Sequence, residues 1–387
     1  MELSDLKREV TDYPIAITEN ENDTGVTVVR HELGSTSGIA YVGFGVDVSG
    51  LSLEDAPLLS LFTRIMMETG AGEYSDVQLS RKIGTHTGGV SVGLFSTPVN
   101  AKGADESVVS DGSHMITKIF IKGKATADKT DELFSIFNLV LTDAKLDSQS
   151  KVIEMLKESR TRIESAIQSS GHSYANTRLA ARYNTESYIS EKMGGISYLA
   201  TVKELLHQAE NEWPALLQRL VNIRETILEK NSCRDGMVLD ITGDKTVLDT
   251  IQPTVEEFLK VLPGDSDGVK QQDFYSVQHP WVIQAKEEMK VMAPLIDEGF
   301  VVPTQVSYVG KGGRLYDNGE IVSGASAVVS RFLRTGYLWD QVSSYSLIGS
   351  DTSHKLFSFS YHVSHVVDNT KLAGPGNGWC VRWFLYL

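Results

Sequence analysis

The sequence has little cysteine and little proline. Its only two cysteines, Cys233 and Cys380, are far apart and match neither a disulfide framework nor a zinc-binding spacing, so we expect a reducing compartment. Ten prolines among 387 residues, with 41% hydrophobic and 22% charged residues, exclude a disordered or fibrous chain. A chain of this length can form two or more globular domains, each with its own core.

Three kinds of segment are also missing. No Lys/Arg-dense run occurs and the formal net charge is −14, so we expect no nucleic-acid partner. No stretch approaches the ~20 consecutive apolar residues of a transmembrane helix, so we expect no membrane span. The first residues, M-E-L-S-D-L-K-R-E, have neither an apolar core nor an Arg-rich pattern, and we expect no targeting peptide in this chain.

Hydrophobic periodicity divides the chain into strands and helices. Strands are predicted at 27–33 and 38–48 as neighbours, at 90–94 and 115–121 by alternation, and later at 237–242. Helices are predicted after a capping box at Ser52 and Asp55, after another at Ser75 and Gln78, at 129–142, repeatedly up to about 230, and at 245–261. This order predicts an α+β fold, in which an antiparallel or mixed sheet is covered by helices on one face.

A composition break, P-G-D-S-D-G at 263–268, marks the predicted domain boundary. Beyond it, 304–310 is strand-like and 325–335 is helix-like. The letters Y-V-G precede a helix at both 41–43 and 308–310, which indicates a degenerate repeat with an incomplete second copy. We therefore predict a linker at 1–13, an α+β domain at 14–262, a linker and helix at 263–299, the start of a second domain at 300–342, and a divergent tail at 343–387.

Short motifs for zinc hydrolysis are absent. Neither H-E-x-x-H nor H-x-x-E-H occurs, and His31-Glu32 has no second histidine one helical turn away. His362 and His365 lie in a segment that alternates like a strand, which places them on opposite faces and argues against a shared metal ion.

Other candidate motifs have ordinary structural explanations. The G-x-S-x-G match at 264–268 follows a helix and a proline rather than a strand, which predicts a linker rather than a nucleophile elbow. G-K-G-G at 310–313 lacks the spacing of a phosphate-binding loop. Met66 and Met67 are expected in the core, and Trp213-Pro214 is expected to begin a helix. We therefore predict no catalytic, cofactor-binding or metal-binding residue.

Six segments together carry a family resemblance. They are G-T-H-T-G-G-V-S-V (84–92), I-K-G-K-A (121–125), S-G-H-S-Y-A (170–175) with Arg178, E-K-M-G-G-I-S-Y-L (191–199), P-T-Q-V-S-Y-V-G-K (303–311) and L-W-D (338–340). In this order, over about residues 1–342, the chain resembles the C-terminal half of presequence proteases. These enzymes are the organellar peptide-degrading branch of the pitrilysin and insulinase superfamily of zinc metallopeptidases.

The resemblance implies a fold and a partner. Such enzymes have two homologous halves, each of two α+β domains, which close around unfolded peptides; residues 14–262 would be the third domain. The zinc site, with its H-x-x-E-H motif, belongs to the N-terminal half, so no cofactor is expected in this chain and a zinc-bearing half is its expected partner. The acidic chain would form the far wall of a chamber for short basic unfolded peptides, in the mitochondrial matrix or plastid stroma.

The sequence departs from the family after residue 342. The family continues with R-V-x-G-G-A-Y-G, whose Arg and Tyr hold substrate, but here S-S-Y-S-L stands at 343–347. No catalytic residue is therefore carried over, and the chain alone is predicted to be inactive. Intron read-through or a frameshift would produce the tail that ends in W-C-V-R-W-F-L at 379–385, and we favour it over a diverged fourth domain, which F-S-F-S-Y at 357–361 would fit. The competing function is a stand-alone binding or scaffold protein.

Overall fold

The computed structural model describes residues 14–19, 21–99, 108–110, 112–264, 280–292, 297–302, 308, 310, 312 and 315–335. The strands of this part of the chain are β1 (Ile15–Thr18), β2 (Thr27–Leu33), β3 (Ile39–Asp47), β4 (Val90–Pro98), β5 (Met115–Thr126) and β6 (Val238–Asp244). The helices are α1 (Leu59–Glu68), α2 (Asp76–His86), α3 (Thr130–Thr142), α4 (Gln149–Ala180), α5 (Thr185–Gly194), α6 (Ile196–Asn211), α7 (Trp213–Lys230), α8 (Lys245–Val261), α9 (Pro280–Met292) and α10 (Gly324–Thr335).

The six strands form one mixed sheet in the order β1-β2-β6-β3-β5-β4. Strands β2 and β6 are parallel, and the other neighbouring pairs are antiparallel. The predicted α+β class with a mixed sheet is confirmed. The predicted domain limits are not decided by this architecture and stay a prediction.

The prediction that β2 and β3 are neighbours is wrong, because β6 lies between them. Strand β6 pairs with Thr27–Leu33 on one side and with β3 on the other. The connection from β2 to β3 therefore passes the end of β6. There the amide of Thr36 donates to Asp244 Oδ2 at 3.1 Å, and the amide of Asp244 donates to Thr36 Oγ1 at 3.0 Å. Local alternation predicts a strand but carries no information about its partner.

Local signals located most helices well, although the one predicted after Ser52 and Asp55 begins as an α-helix only at Leu59. Ser75 Oγ accepts a hydrogen bond from the amide of Gln78, and the Gln78 side chain accepts one from the amide of Ser75, which is the capping box predicted for α2. The predicted helices at 129–142, 245–261 and 325–335 correspond to α3, α8 and α10. The predicted strand at 304–310 lies largely outside the described residues.

One face of the sheet is covered by helices. Alternate side chains of the central strands point into this layer and are buried, among them Val42, Phe44 and Val46 of β3. The ring of Phe258 from α8 meets Phe44 edge-on at 5.3 Å and stacks on Phe134 from α3 at 4.5 Å. Because fully burying one such side chain contributes about 1.5–3 kcal/mol, this aromatic contact anchors α3 and α8 to the sheet.

The opposite face of the sheet has exposed apolar side chains. Ile15 and Ile17 are 59% and 63% exposed, and Tyr41 and Phe95 are 44% and 43% exposed. The strand register places further residues on the same side. We define the open sheet face as Ile15, Ile17, His31, Tyr41, Gly43, Gly45, Phe95, Phe120, Lys122, Lys124 and Asp240.

One end of this side is closed by the turn after α7. Asn231 Nδ2 donates to the Asp47 carbonyl at 2.8 Å, and Lys118 Nζ donates to the Gly236 carbonyl at 2.7 Å. Burial lowers the pKa of Lys118, and the nearby Asp47 carboxylate, 3.9 Å away, opposes that shift. The turn thus buries Asp47 and Lys118 next to the open sheet face, whose apolar side chains Ile15, Ile17, Tyr41 and Phe95 stay exposed.

Glycine at position 123 is required by the covered face. A Cβ there would lie 2.6 Å from Leu133 Cδ1 and 3.1 Å from Phe137 Cε1, whereas a Cβ at Gly93 would meet no atom within 4 Å. We expect Gly123→Ala to lower the free energy of unfolding by about 1–3 kcal/mol, because α3 must move to admit the methyl group. Urea unfolding followed by circular dichroism measures this, with Gly93→Ala as the matched control. Equal midpoints for the two variants would contradict the packing described.

Candidate functional site

The residues considered as metal ligands do not assemble into a site. His31 and Glu32 are adjacent on β2 and therefore point to opposite faces of the sheet. Among the described residues, no three His, Cys, Asp or Glu side chains lie close enough to hold a metal ion. His362, His365 and Cys380 lie outside those residues.

The two glycine-rich candidate motifs, at 264–268 and 310–313, have structural roles. The first begins at the end of a helix, and the second packs against one. Gly264 comes after the C-terminus of α8 with φ +89°, and its carbonyl accepts a hydrogen bond from Arg234 Nη2 at 2.9 Å. This is a helix ending rather than a strand-to-helix elbow, although Ser266 itself is outside the described residues. Gly310 packs against α4, where an added Cβ would lie 2.8 Å from Leu179 Cδ1.

The two remaining predictions of this kind are confirmed. Met66 is buried in the core, and Met67 is half-buried and packs against it. Helix α7 begins at Trp213 with Pro214 in its first turn. In the part of the chain that the structure describes, no helix is both long and apolar enough to cross a membrane.

The motif at 84–92 forms the turn that joins α2 to β4. Thr87 ends the helix and its hydroxyl donates to the Ile83 carbonyl at 2.7 Å, while the Gly89 amide donates to Thr87 Oγ1 at 3.1 Å. Gly89 has φ +115°, a conformation that favours glycine. The Gly88 amide donates to the Lys124 carbonyl at 2.7 Å, which attaches this turn to the I-K-G-K-A motif on β5.

The motif at 170–178 lies at an interruption in α4. Ser170 departs from helical geometry with φ −137° and ψ 33°. The ring of Tyr308 packs against Gly171, leaving no room for a Cβ there, and the Tyr308 hydroxyl donates to the Gln168 carbonyl at 2.6 Å. Tyr308, in the predicted start of the second domain, therefore contacts α4 at this interruption.

A polar network further along α4 joins four segments. Arg178 donates from Nε and Nη2 to the two carboxylate oxygens of Glu298 at 2.9 and 2.8 Å, and from Nη1 to Glu191 Oε2 at 3.1 Å. Glu191 is fully buried, and its other oxygen accepts the Ser197 amide at 2.9 Å. We call these four residues the Arg178 cluster.

The electrostatics of the Arg178 cluster are mutually stabilising. The hydrogen bond to Glu298 raises the pKa of Arg178, and the same bond lowers the pKa of Glu298. All four carboxylate oxygens of Glu191 and Glu298 already accept hydrogen bonds. The cluster is therefore suited to holding α4, α5, the start of α6 and the 297–302 segment together rather than to proton transfer.

The open sheet face has a different character. His31 Nε2 lies 3.2 Å from Asp240 Oδ1, but that oxygen makes no well-aligned hydrogen bond, so we treat the contact as electrostatic. Burial raises the pKa of Asp240, and His31 and Lys122 oppose that shift. The ring of Phe120 lies edge-on to Phe95 at 5.6 Å, with Lys122 Nζ 5.5 Å from its centre. Aromatic and cationic groups are thus side by side on an accessible surface.

Two family matches cover most of the chain. Residues 1–205, slightly more than half of the 387, match the family described as associated with peptidase M16, subfamily C, and residues 297–364 match the "PreP C-terminal domain". The chain belongs to the first of these families, which we call the M16 associated family. The second match extends past residue 342 into the predicted tail, in a region that lies outside the described residues. The resemblance to the C-terminal half of presequence proteases is confirmed.

Curated relatives support the same assignment. The chain is 32% identical over 342 residues to presequence protease 1, chloroplastic/mitochondrial, of Arabidopsis thaliana, covering 88% of this chain and 28% of that protein. It is 24% identical to protein HypA of Clostridium perfringens, covering 88% and 31%, and 25% identical to the mitochondrial presequence protease of Saccharomyces cerevisiae, covering 71% and 26%. The chain therefore spans less than a third of the length of these relatives.

Among solved structures, the chain is similar to a peptidase M16 inactive domain from Pseudomonas fluorescens. The TM-score is 0.41 at 14% identity, with 65% of this chain and 51% of that chain covered.

Sequence reasoning missed the partners of Arg178. The motifs containing Arg178 and Glu191 were each identified, but nothing in their spacing indicated that the two side chains meet. Glu298 was missed altogether, since it lies 120 positions from Arg178 and outside any motif. The sequence could have placed the lysines of the open sheet face, because alternation in β5 puts Lys122 on the side of the strand opposite the core side chains.

Removing Arg178 should destabilise the fold, because it leaves the buried carboxylate of Glu191 without its ion-pair partner. We expect Arg178→Ala to lower the free energy of unfolding by about 3–5 kcal/mol, the usual loss when one partner of a buried ion pair is deleted. Glu298→Gln is the matched control, since it alters the cluster at the more accessible carboxylate and should cost no more than about 1 kcal/mol. Urea unfolding of both variants gives the comparison. Similar losses for the two would mean that Glu191 does not depend on Arg178.

The Arg178–Glu298 pair should also stabilise the fold in a pH-dependent way. Because the folded-state pKa of Glu298 is lowered from its usual 4.5, its contribution is complete above that pH and is lost as the pH falls through the lower folded-state value. The difference in unfolding free energy between the wild-type chain and Glu298→Gln should therefore be constant from neutral pH to about pH 5 and shrink below that. A difference that grows on acidification would contradict the assignment.

Proposed function

We propose that this chain is the noncatalytic C-terminal half of a presequence-protease-like zinc metalloendopeptidase, and that it acts together with a zinc-bearing N-terminal half. The observation that carries the proposal is the family match over residues 1–205 and 297–364, in a chain whose sequence has no H-x-x-E-H motif. In this proposal the zinc ion and its activated water belong to the partner half. The chain by itself does not cleave peptides.

The open sheet face supports a role in enclosing peptide. It is a broad surface with exposed apolar side chains on a rigid sheet, and the helices lie on the other side. Such a surface is suited to unfolded segments, which have apolar side chains and no fixed shape. We propose that it forms the far wall of the peptide chamber.

The proposed substrates are short unfolded peptides, including basic ones such as targeting peptides. The formal net charge of −14 would raise the local concentration of cationic peptides through long-range attraction, which weakens as salt increases. The names of the relatives refer to mitochondria and chloroplasts, so the mitochondrial matrix or plastid stroma is the proposed location.

The competing proposal is a stand-alone binding or scaffold protein. The feature that favours it is the same accessible face, which could bind a peptide without any catalytic partner. The two proposals differ in whether the chain restores proteolysis to a zinc-bearing half.

A reconstitution assay separates the two proposals. The purified chain is mixed with a separately produced zinc-bearing N-terminal half of a presequence protease, and cleavage of a fluorogenic Arg-rich peptide is followed. We expect negligible cleavage by either part alone and chelator-sensitive cleavage by the mixture. Unchanged rates on mixing would favour the scaffold.

Two controls sharpen the reconstitution assay. Serum albumin in place of the chain tests for nonspecific stabilisation of the zinc-bearing half, and metal analysis tests the chain itself. Stoichiometric, tightly bound zinc together with chelator-sensitive cleavage by the chain alone would overturn both proposals.

A further inference from the structure

Two lysines on the open sheet face have no carboxylate within ion-pair distance among the described residues. Lys122 and Lys124 are exposed and lie two residues apart on β5, so both side chains point to the same side of the sheet. The nearby carboxylates are already engaged: Asp240 is in contact with His31, and Asp244 accepts the amides of Thr36 and Val247. The lysines are therefore available to an incoming anion.

Apolar contact area lies directly beside these lysines. Strand pairing places Tyr41 next to Lys124, and Lys122 lies beside the ring of Phe120. Phe120 in turn contacts the exposed ring of Phe95. An anion bound by the lysines would thus be adjacent to an aromatic surface.

Glycines in β3 give this surface its shape. Phe120 lies over Gly45, where an added Cβ would be 2.8 Å from the ring. At Gly43, which is buried, an added Cβ would meet the Phe120 ring and Asp240 at ordinary contact distances of 3.6 and 3.8 Å, so Phe120 covers this position as well. Gly43 lies between Asp240 and Lys122 in the strand register, so the apolar contact surface beside Lys122 is the Phe120 ring itself.

We propose that this surface binds the C-terminal end of a short peptide, with the terminal carboxylate at Lys122 and Lys124 and an apolar terminal side chain against Tyr41, Phe95 and Phe120. Charge complementarity supports this occupant, because these two exposed lysines are cationic although the whole chain is acidic. Every short peptide with a free terminus has such a carboxylate, whatever its own net charge. The proposal deepens the proposed function by naming the end of the peptide that the far wall holds, and it rests on that function.

Fluorescence anisotropy with the isolated chain tests the proposal. The probe is a short N-terminally fluorescein-labelled peptide ending in Leu-Phe, made as the free acid, as the C-terminal amide, and as the amide with one internal Glu. We expect the free acid to bind at least about fivefold more tightly than either amide, since the terminal carboxylate supplies the ion pairs. Equal binding of acid and plain amide would overturn the proposal, and rescue by the internal Glu would overturn the choice of the terminal carboxylate.

Variants locate the site. Lys122→Gln and Lys124→Gln should each weaken binding of the free acid about two- to fivefold, as expected for exposed ion pairs, and should leave the weak binding of the amide unchanged. Lys203→Gln on α6, an exposed lysine of the helical layer, is the matched control and should change nothing. Phe95→Ala should weaken acid and amide alike, because it removes apolar contact. Equal effects of the α6 control and the β5 variants would reject the site.

Two further outcomes are distinguishable. Sedimentation that shows a dimer broken by Phe95→Ala would assign this face to a second copy of the chain and overturn the proposal. If the peptide does not bind but mixing with a zinc-bearing half still restores cleavage, the carboxylate site is rejected and the proposed function stands. If the peptide binds as expected but mixing restores no cleavage, the result counts against the proposed partnership with a zinc-bearing half.

Discussion

The sheet depends on one pairing between distant parts of the chain. Strand β6 begins at Val238, more than a hundred residues after β5 ends at Thr126, and it pairs with both β2 and β3 at the centre of the sheet. Bringing such distant segments together has a large entropic cost, which contacts formed only in the folded state must offset. The intervening helices α3 to α7 return the chain to the sheet, and the turn after α7 then buries Asp47 and Lys118. Without β6, the strands on either side of it would share no hydrogen-bonded partner.

The two faces of this sheet differ in what packs on them, and glycines at a few positions allow that packing. On the covered face, Gly123 allows α3 to approach, and aromatic rings from α3 and α8 pack on Phe44. On the open sheet face, Gly43 and Gly45 are buried beneath the ring of Phe120. The result is a rigid, helix-backed sheet with an accessible surface of mixed apolar and cationic character. Such a surface matches the peptide-enclosing role proposed for the chain, and its local charge differs from the charge of the whole molecule.

The segments that carry the family resemblance gather in two places. The motifs at 84–92 and 121–125 meet at the β4–β5 side of the sheet, where the turn glycines hydrogen-bond to Lys124. The motifs at 170–178 and 191–199 meet in the Arg178 cluster, together with Glu298 of the 297–302 segment, where the second family match begins. The second group therefore connects the α+β unit to the C-terminal region of the chain. Its buried carboxylate and bidentate arginine define one geometry for that connection.

Much of the fold was determined by local sequence. Periodicity and capping residues located α2, α3, α8 and every strand of the sheet except β1, and the motifs identified the family, because each of these signals lies within a short stretch. Three features were decided only by tertiary structure: the position of β6 between β2 and β3, the meeting of Arg178 with Glu298, and the packing of the Phe95 and Phe120 rings beside Lys122. Each depends on contacts or on a surface formed by residues far apart in the chain. Local patterns report which face a side chain occupies, but not which distant strand or charge will lie beside it.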